Sequence, residues 1–402
     1  MRINWEKRLK ETEPEIRSWF HHLHENPELG FEEFETSLFV EQKLKSFQKM
    51  EVRRIGSTGV LGILKTGKKG PVLAFRADMD ALPIEEDETH LIRSRNPGVM
   101  HACGHDGHTA SLLGAAKILA EQADKLRGEI RFLFQPSEEI QPGGAKRMVQ
   151  EGVLEGVDYI FGMHYSIDED AGCFSIQEGA GFAANYKFDM TVTGQEGHAA
   201  FPHLAKDAIL CAGELVCALH RIAGRVVCPS EQVVLSVTEI SGGNSYNSIP
   251  REVQLKGTLR FLNKDLAESL LQKMKETGEG ICSANGCRFS WSFQEGCMPL
   301  YNEPALTEKI RNILEENFGK EKILSHEPVM GCEDFSEYLK TTKGVYFRTG
   351  AKTVEADGTV YPTHNSGYRL NEEALVYGTG SMIAVLLGMM EQEEEQGKEN
   401  IL

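Results

Sequence analysis

The sequence predicts an α/β fold, built on a largely parallel central sheet flanked by helices, with a smaller α+β domain of ferredoxin-like pattern inserted into it. Three observations carry this. Short apolar strand runs alternate with helical periodicity as far as residue 182, the pattern of a parallel sheet with crossover helices. From residue 183 the runs alternate apolar and polar, as half-exposed strands do, and follow a β-α-β-β-α-β order. After residue 297 the first character returns. The expected segments are 1–182, 183–296 and 297–402, with the outer two forming one domain.

Taken in order, Ile16, Trp19, Phe20 and Leu23 recur at helical spacing, as do Phe39, Leu44 and Phe47, with a break at Asn26-Pro27. Strand runs follow at 59–64 and 71–75, bounded by Gly- or Lys-rich turns. A helix is expected at about 109–120, a strand at 129–134, a helix at 145–150 and a strand at 158–163. In the inserted part, strands are expected at 186–192, 232–239, 252–261 and 287–294, with helices at 206–222 and 266–281. A helix at 304–318, a strand at 344–347 and a closing helix at 371–389 complete the pattern. The acidic tail 391–402 is expected to fray.

The chain has 402 residues, 41% apolar and 26% charged, a soluble globular balance long enough for two domains. Its net charge of −17, from 60 acidic and 43 basic side chains, disfavours phosphate backbones and anionic membrane surfaces. Nine cysteines at irregular spacing point to reduced thiols and a cytoplasmic location rather than a disulfide framework. The first residues carry no apolar segment of the signal-peptide kind. The late apolar run 382–387 is far shorter than the ~20 residues of a membrane span.

The chemistry concentrates in Met100-His101-Ala102-Cys103-Gly104-His105-Asp106-Gly107-His108-Thr109, five potential metal ligands within eight residues. Cys103 and His105 stand two apart, so both can face one side of an extended segment. A thiolate with an imidazole suits a borderline-soft divalent ion. Glu138 and Glu139 follow a strand at its carboxyl end, where ligands bind in parallel sheets. Adjacent glutamates also open helices and stabilise their dipoles, and that reading stays open at this point. His164 stands at the end of the next strand run, and His364 lies in a late loop. Cys103, His105, Glu139, His164 and His364 could therefore converge on one rim. Five ligands exceed the ~four of a closed structural site and suit a pair of ions with open positions. Glu138 would then be left to accept a proton.

These motifs, with Arg76-Ala77-Asp78-Met79-Asp80-Ala81-Leu82-Pro83, Gly197-His198-Ala199-Ala200-Phe201-Pro202-His203, Gly331-Cys332-Glu333-Asp334-Phe335-Ser336 and His364-Asn365, occur in one order over nearly the whole chain. The chain resembles the dinuclear metallo-aminoacylase and carboxypeptidase superfamily. Within it, the resemblance is to the amidohydrolase branch of hippurate hydrolases, N-acyl-amino-acid amidohydrolases and auxin-conjugate hydrolases. It implies a catalytic domain with an inserted lid or dimerisation domain, and a homodimer or higher homo-oligomer formed through it. It implies two divalent ions, Mn or Zn foremost and Co or Ni also compatible, with Cys103 shared between them. His105, Glu139, His164 and His364 would be the other ligands, and Glu138 the general base.

The resemblance also brings His198 to the substrate carbonyl, often across a subunit interface, and Asn247 close to the substrate. Arg260 could hold a substrate carboxylate as a bidentate fork. From the residues alone, His198 reads equally as part of a polar loop and Arg260 as a strand-end surface charge. Asp80 and Asp106 are candidates to hold the second ring nitrogen of a metal-bound histidine. His101 and His108 are expected to position the loop, and His21, His22 and His24 to be exposed. Asp334 and Glu337 read as a capping box.

The implied activity is hydrolysis of small N-acyl amino acids, hippurate-like or N-acetyl and aryl-acyl conjugates. Alternatives within the same chemistry are a dipeptidase, a carboxypeptidase or an N-acetyl-amino-acid deacetylase. Two further classes are a metal-binding protein without catalysis and a thiol enzyme using Cys103.

Overall fold

The computed structural model describes residues 4–399; residues 1–3, and residues 400–402 of the tail expected to fray, lie outside the described residues. The chain divides into two compact units. The first holds Met1–Gly179, Tyr301–Glu327 and Asp334–Leu402, and the second Ala180–Leu300 and Pro328–Glu333.

The first unit is built on an eight-stranded sheet. Its centre runs Glu129–Gln135, Val72–Asp78, Tyr159–Ser166 and Lys343–Gly350, all parallel. Met50–Ile55 and Gly59–Lys65 extend it antiparallel on one side. The central strands are buried along nearly their whole length, with Phe75, Phe132, Phe161 and Phe347 inside. Strands buried on both faces need apolar side chains at successive positions, so continuous apolar runs replace alternation.

Helices Trp5–Glu25, His105–Glu121 and Ala374–Glu399 pack on one another beside the sheet. The closing helix continues through the acidic segment to Glu399, where fraying was expected. Its stretch Ala374–Gln392 is long and apolar enough to cross a membrane, but 72% of its most apolar window is buried inside the protein, so it serves as a core helix.

The second unit carries a four-stranded antiparallel sheet in the order Val233–Ser241, Glu252–Phe261, Ala184–Thr193, Arg288–Glu295. Helices Ala208–Arg225 and Ala267–Ala284 join the strands in β-α-β-β-α-β order. The strand Glu252–Phe261 alternates strictly outside and in, and Val253, Leu255, Leu259 and Phe261 enter the core. The sequence expectation put all of 297–402 in the other unit. Residues 328–333 instead belong here, because Val329 N–H donates to Gly181 O at 2.9 Å and Ala183 N–H donates to Gly331 O at 2.8 Å.

Candidate metal centre

In the first unit, three strand ends and two loops deliver the ligand-type side chains to one place. The helix His105–Glu121 begins at His105 itself, earlier than the apolar periodicity indicates. Gly104, immediately before it, sits at φ 87°, and a Cβ there would lie 2.8 Å from the Tyr368 hydroxyl. Only glycine meets both demands. Glu138 and Glu139 lie in the loop after Glu129–Gln135, well before the helix Gly144–Gln150, which removes the reading of them as a helix start. Ser137 and His364 both adopt positive φ, at 48° and 64°. Such backbone is costly for residues with a Cβ and must be held by its surroundings. His364 is held by its N–H, which donates to Ala102 O at 2.7 Å.

The potential donor atoms fall into overlapping groups, each within 4.8 Å: Cys103, His105 and His164; Cys103, Glu139 and His364; His105, Glu138 and Glu139. Cys103 belongs to the first two. Its sulfur lies 3.4 Å from His164 Nε2, and His364 Nε2 lies 3.0 Å from Glu139 Oε1.

Hydrogen bonds set the tautomers. His105 Nδ1 donates to Asp80 O at 2.9 Å, and His164 Nδ1 donates to Tyr165 O at 2.6 Å. A carbonyl only accepts, so in each neutral ring Nδ1 carries the proton and Nε2 presents its lone pair. The buried Nε2 of His105 has no hydrogen-bond partner. His108 differs: its Nδ1 donates to Asp78 Oδ1 at 2.6 Å and its Nε2 accepts Tyr165 N–H at 3.0 Å. Both of its nitrogens are occupied, which suits a positioning role.

Charge organises the site. Burial and the neighbouring His108 hold His164 well below its usual pKa, so it is neutral. Burial also disfavours charge on His105, but Asp78, Asp80 and Cys103 overcome it and raise the group. Cys103 and Glu139 raise His364 to about 10. Protons are therefore strongly attracted to the places where cations would sit. Buried imidazole, thiol and carboxylate donors, with the His105 Nε2 left without a hydrogen-bond partner, fit a divalent metal.

The supporting groups are where sequence reasoning needs correction. Asp80 does lie against His105, with Nδ1 3.3 Å from its Oδ1, but its carboxylate has a second task. Oδ1 accepts Glu138 N–H at 2.9 Å and Oδ2 accepts Glu139 N–H at 3.0 Å. Asp106, next to His105 in sequence, instead bonds His24 Nδ1 at 2.7 Å and Gly107 N–H at 2.8 Å. Successive helical residues point ~100° apart, so neighbours in sequence diverge. His24 is accordingly buried rather than exposed, bridging Asp106 to Glu86 Oε1 at 2.9 Å.

The expected capping box is likewise absent: the helix Ser336–Leu339 has no side-chain cap. The Asp334 carboxylate turns to Arg76 Nη2 at 2.8 Å and to Gln135 Nε2. Arg76, 1% exposed, also bonds Asp78 at 2.6 Å and Gln135 Oε1 at 2.8 Å, tying together two strand ends of the site.

Glu33 was missed altogether. It accepts Ser137 N–H at 2.7 Å and the Thr58 hydroxyl at 2.7 Å, and burial pushes it up to about 7. No local signal in the sequence marks it.

The remaining site candidates belong to the second unit. His198 lies in the short strand Gly197–His198, paired with Ser248–Ile249, and Ala199 N–H donates to Asn247 O at 3.0 Å. His198 and Asn247 are therefore neighbours, and both are exposed. His198 Nδ1 accepts Ala200 N–H at 3.1 Å, which leaves Nε2–H as the outward donor of the neutral ring. Arg260 is half-buried, and its Nη1 donates to Met330 O at 2.8 Å, so it is an anchored guanidinium rather than a surface charge.

An α/β unit with clustered metal-type donors at its strand ends, joined in one chain to a β-α-β-β-α-β unit, defines a metallohydrolase class, and comparison with known proteins agrees. Residues 74–388 match the model of Peptidase family M20/M25/M40. The chain is 44% identical over 297 residues to an N-acyl-L-amino acid amidohydrolase of Geobacillus stearothermophilus, covering 74% of this chain and 80% of that protein. It is 35% identical over 375 residues to N-acetyl-L-cysteine deacetylase of Bacillus subtilis, covering 93% and 88%. The crystal structure of the Bacillus subtilis YXEP protein, described as a dinuclear metal binding peptidase, superposes with a TM-score of 0.83 at 30% identity, covering 95% and 99%. The chain belongs to Peptidase family M20/M25/M40 and is a hydrolase acting on amide bonds.

Proposed function

We propose that the chain is a metal-dependent amidohydrolase of small N-acyl amino acids, with Cys103, His105, Glu139, His164 and His364 as metal ligands and Glu138 as general base. The observation that carries this is the pair of donor triads sharing one thiol, Cys103–His105–His164 and Cys103–Glu139–His364. A thiolate common to both triads suits two cations. Manganese or zinc match the mixed sulfur, nitrogen and oxygen donors, and cobalt or nickel are compatible. When bound, two divalent ions supply Lewis acidity, making a water more acidic and polarising the amide carbonyl.

The protein's own groups do the rest. Glu138 accepts the proton of the attacking water and returns it to the departing amine nitrogen. Asp80 fixes the backbone of Glu138 and Glu139 and, through its carbonyl, the tautomer of His105. His198 would present Nε2–H to the substrate carbonyl oxygen as negative charge develops there. Asn247 beside it and the anchored Arg260 would recognise the amino-acid end, the guanidinium taking the carboxylate. The second unit would act as lid and dimerisation surface, with His198 serving a partner subunit's site. Nine free thiols support a reducing, cytoplasmic setting.

A dipeptidase or carboxypeptidase would use the same residues on a different acyl group. The thiol-enzyme reading is disfavoured because burial, with Glu139 adding to it, raises the Cys103 thiol. A nucleophilic thiol needs the opposite.

Glu138→Gln tests the proposal. Metal content should stay at the wild-type level while kcat on N-acyl amino acids falls about 10²- to 10⁴-fold, the usual range for a lost general base. Retained turnover would remove Glu138 from that role. Activity surviving exhaustive chelation would overturn the metal-dependent mechanism.

A further inference from the structure

Five of the cysteines form two further thiol groupings of the second unit, Cys211 with Cys282 and Cys287, and Cys297 with Cys332, and the second has the features of a reactive pair. Cys211 and Cys282 are buried in the apolar core at 3.7 Å, where burial raises both thiols, and they behave as small core side chains. Cys297 and Cys332 are different. They come from distant parts of the chain and are drawn to the same short stretch. Asn185 N–H donates to Cys297 O at 3.1 Å, and Ala183 N–H donates to Gly331 O at 2.8 Å. Cys297 is buried, whereas Cys332 is part-exposed.

We propose that Cys297 and Cys332 are a reversible modification site, a dithiol that hydrogen peroxide converts to a disulfide. The two side chains are hydrogen-bonded to each other, with Arg260 and Asn185 beside Cys332. The Cys297 bond and the Arg260 charge bring the Cys332 thiol down to about 7 against the effect of burial. The group that stabilises the Cys332 thiolate is thus also the one placed to attack it after oxidation. A thiol of lowered pKa with solvent access and an adjacent second thiol is the arrangement redox-responsive sites use. Arg260 also holds the segment in place through Met330 O at 2.8 Å.

The chemistry balances in two steps. The Cys332 thiolate attacks one peroxide oxygen, the O–O bond breaks, and the departing hydroxide takes a proton to become water, leaving a sulfenic acid. The Cys297 sulfur then attacks the Cys332 sulfur, the S–O bond breaks as the S–S bond forms, and hydroxide leaves with the Cys297 proton as a second water. Two thiols lose two electrons in all, and one peroxide is reduced to two waters.

The exposed Cys228 is the internal rival. Its sulfur lies 3.0 Å from the Ser230 hydroxyl, which cannot resolve a sulfenic acid into a disulfide.

The test uses the metal-loaded protein, titrated with hydrogen peroxide, quenched with an alkylating reagent and mapped by peptide mass spectrometry. A linked Cys297–Cys332 peptide should appear, removed by dithiothreitol, with Cys332 reacting roughly tenfold faster than the exposed Cys217. In Cys297→Ser, Cys332 should accumulate as a dimedone-labelled sulfenic acid. Oxidation of Cys332 no faster than Cys217, or its passage to sulfinic acid in the unsubstituted protein without a linked peptide, would overturn the proposal.

Discussion

Asp80→Asn tests how the Asp80 carboxylate positions the general base, with metal content measured beside it because the same carboxylate also holds Glu139. The carboxylate accepts Glu138 N–H on one oxygen and Glu139 N–H on the other, at 2.9 and 3.0 Å. A carboxamide has one oxygen and one NH₂, so one of these donors would face another donor. Asp80 is 1% exposed, and water has little room to repair the mismatch. A hydrogen bond to a charged group contributes about 1.5–3 kcal/mol. If that loss falls on the geometry of Glu138, kcat/KM drops about 10- to 150-fold, at 1.36 kcal/mol per tenfold. The contact with His105 runs mainly through the Asp80 main-chain carbonyl, which the substitution keeps. Metal stoichiometry should therefore stay unchanged while turnover falls. The assay pairs kcat/KM on an N-acyl amino acid with metal analysis of the same preparation. A kcat/KM within twofold of the unsubstituted enzyme would refute the reasoning, as would a loss accounted for entirely by missing metal.

Arg76→Met should destabilise the chain by about 3–5 kcal/mol, the cost of stripping one partner from a buried ionic network. It leaves Asp78 and Asp334 without that guanidinium, and urea denaturation would detect the change as a lowered midpoint. A midpoint equal to that of the unsubstituted protein would mean the network contributes no stability. The His24 bridge predicts a pH signature. Burial opposes its charge, but Asp106 and Glu86 outweigh that and raise it from 6.5 to about 10. A raised pKa in the folded state gives stability that is complete below pH 6.5 and disappears as pH rises through about 10. Burial favours a protonated Glu86, but His24 and His90 hold it well below the usual carboxylate range, so its share is instead lost in acid. Unfolding free energy measured across the alkaline window should decline in the unsubstituted protein and stay flatter in His24→Gln. Parallel curves would show that His24 is not charged in the folded state.

Much of the local structure was legible. The strand Glu252–Phe261 and the helix Pro304–Phe318 coincide with their periodic runs, because side-chain alternation and the 3.6-residue repeat are properties of short segments. The helix at His105 began before its apolar repeat. Its first turn, His105-Asp106-Gly107-His108, holds no apolar side chain, so it carries no core signature. The same reasoning failed for Asp334, where a local capping motif competed with Arg76, a partner more than 250 positions away, and the buried guanidinium prevailed.

By itself, the sequence determined which chemical groups are available and in what order: a thiol, three imidazoles and two carboxylates carried at strand ends and in loops. Only the tertiary structure decided which of those groups meet and what holds them. It gave Asp80 to the backbone of Glu138 and Glu139, Asp106 to His24, and Glu33 to Ser137. The physical reason is that these contacts depend on strand order, which places Glu129–Gln135 beside Val72–Asp78 and Tyr159–Ser166 beside Lys343–Gly350. That order follows from burying the whole sheet at once, and no short window of residues encodes it.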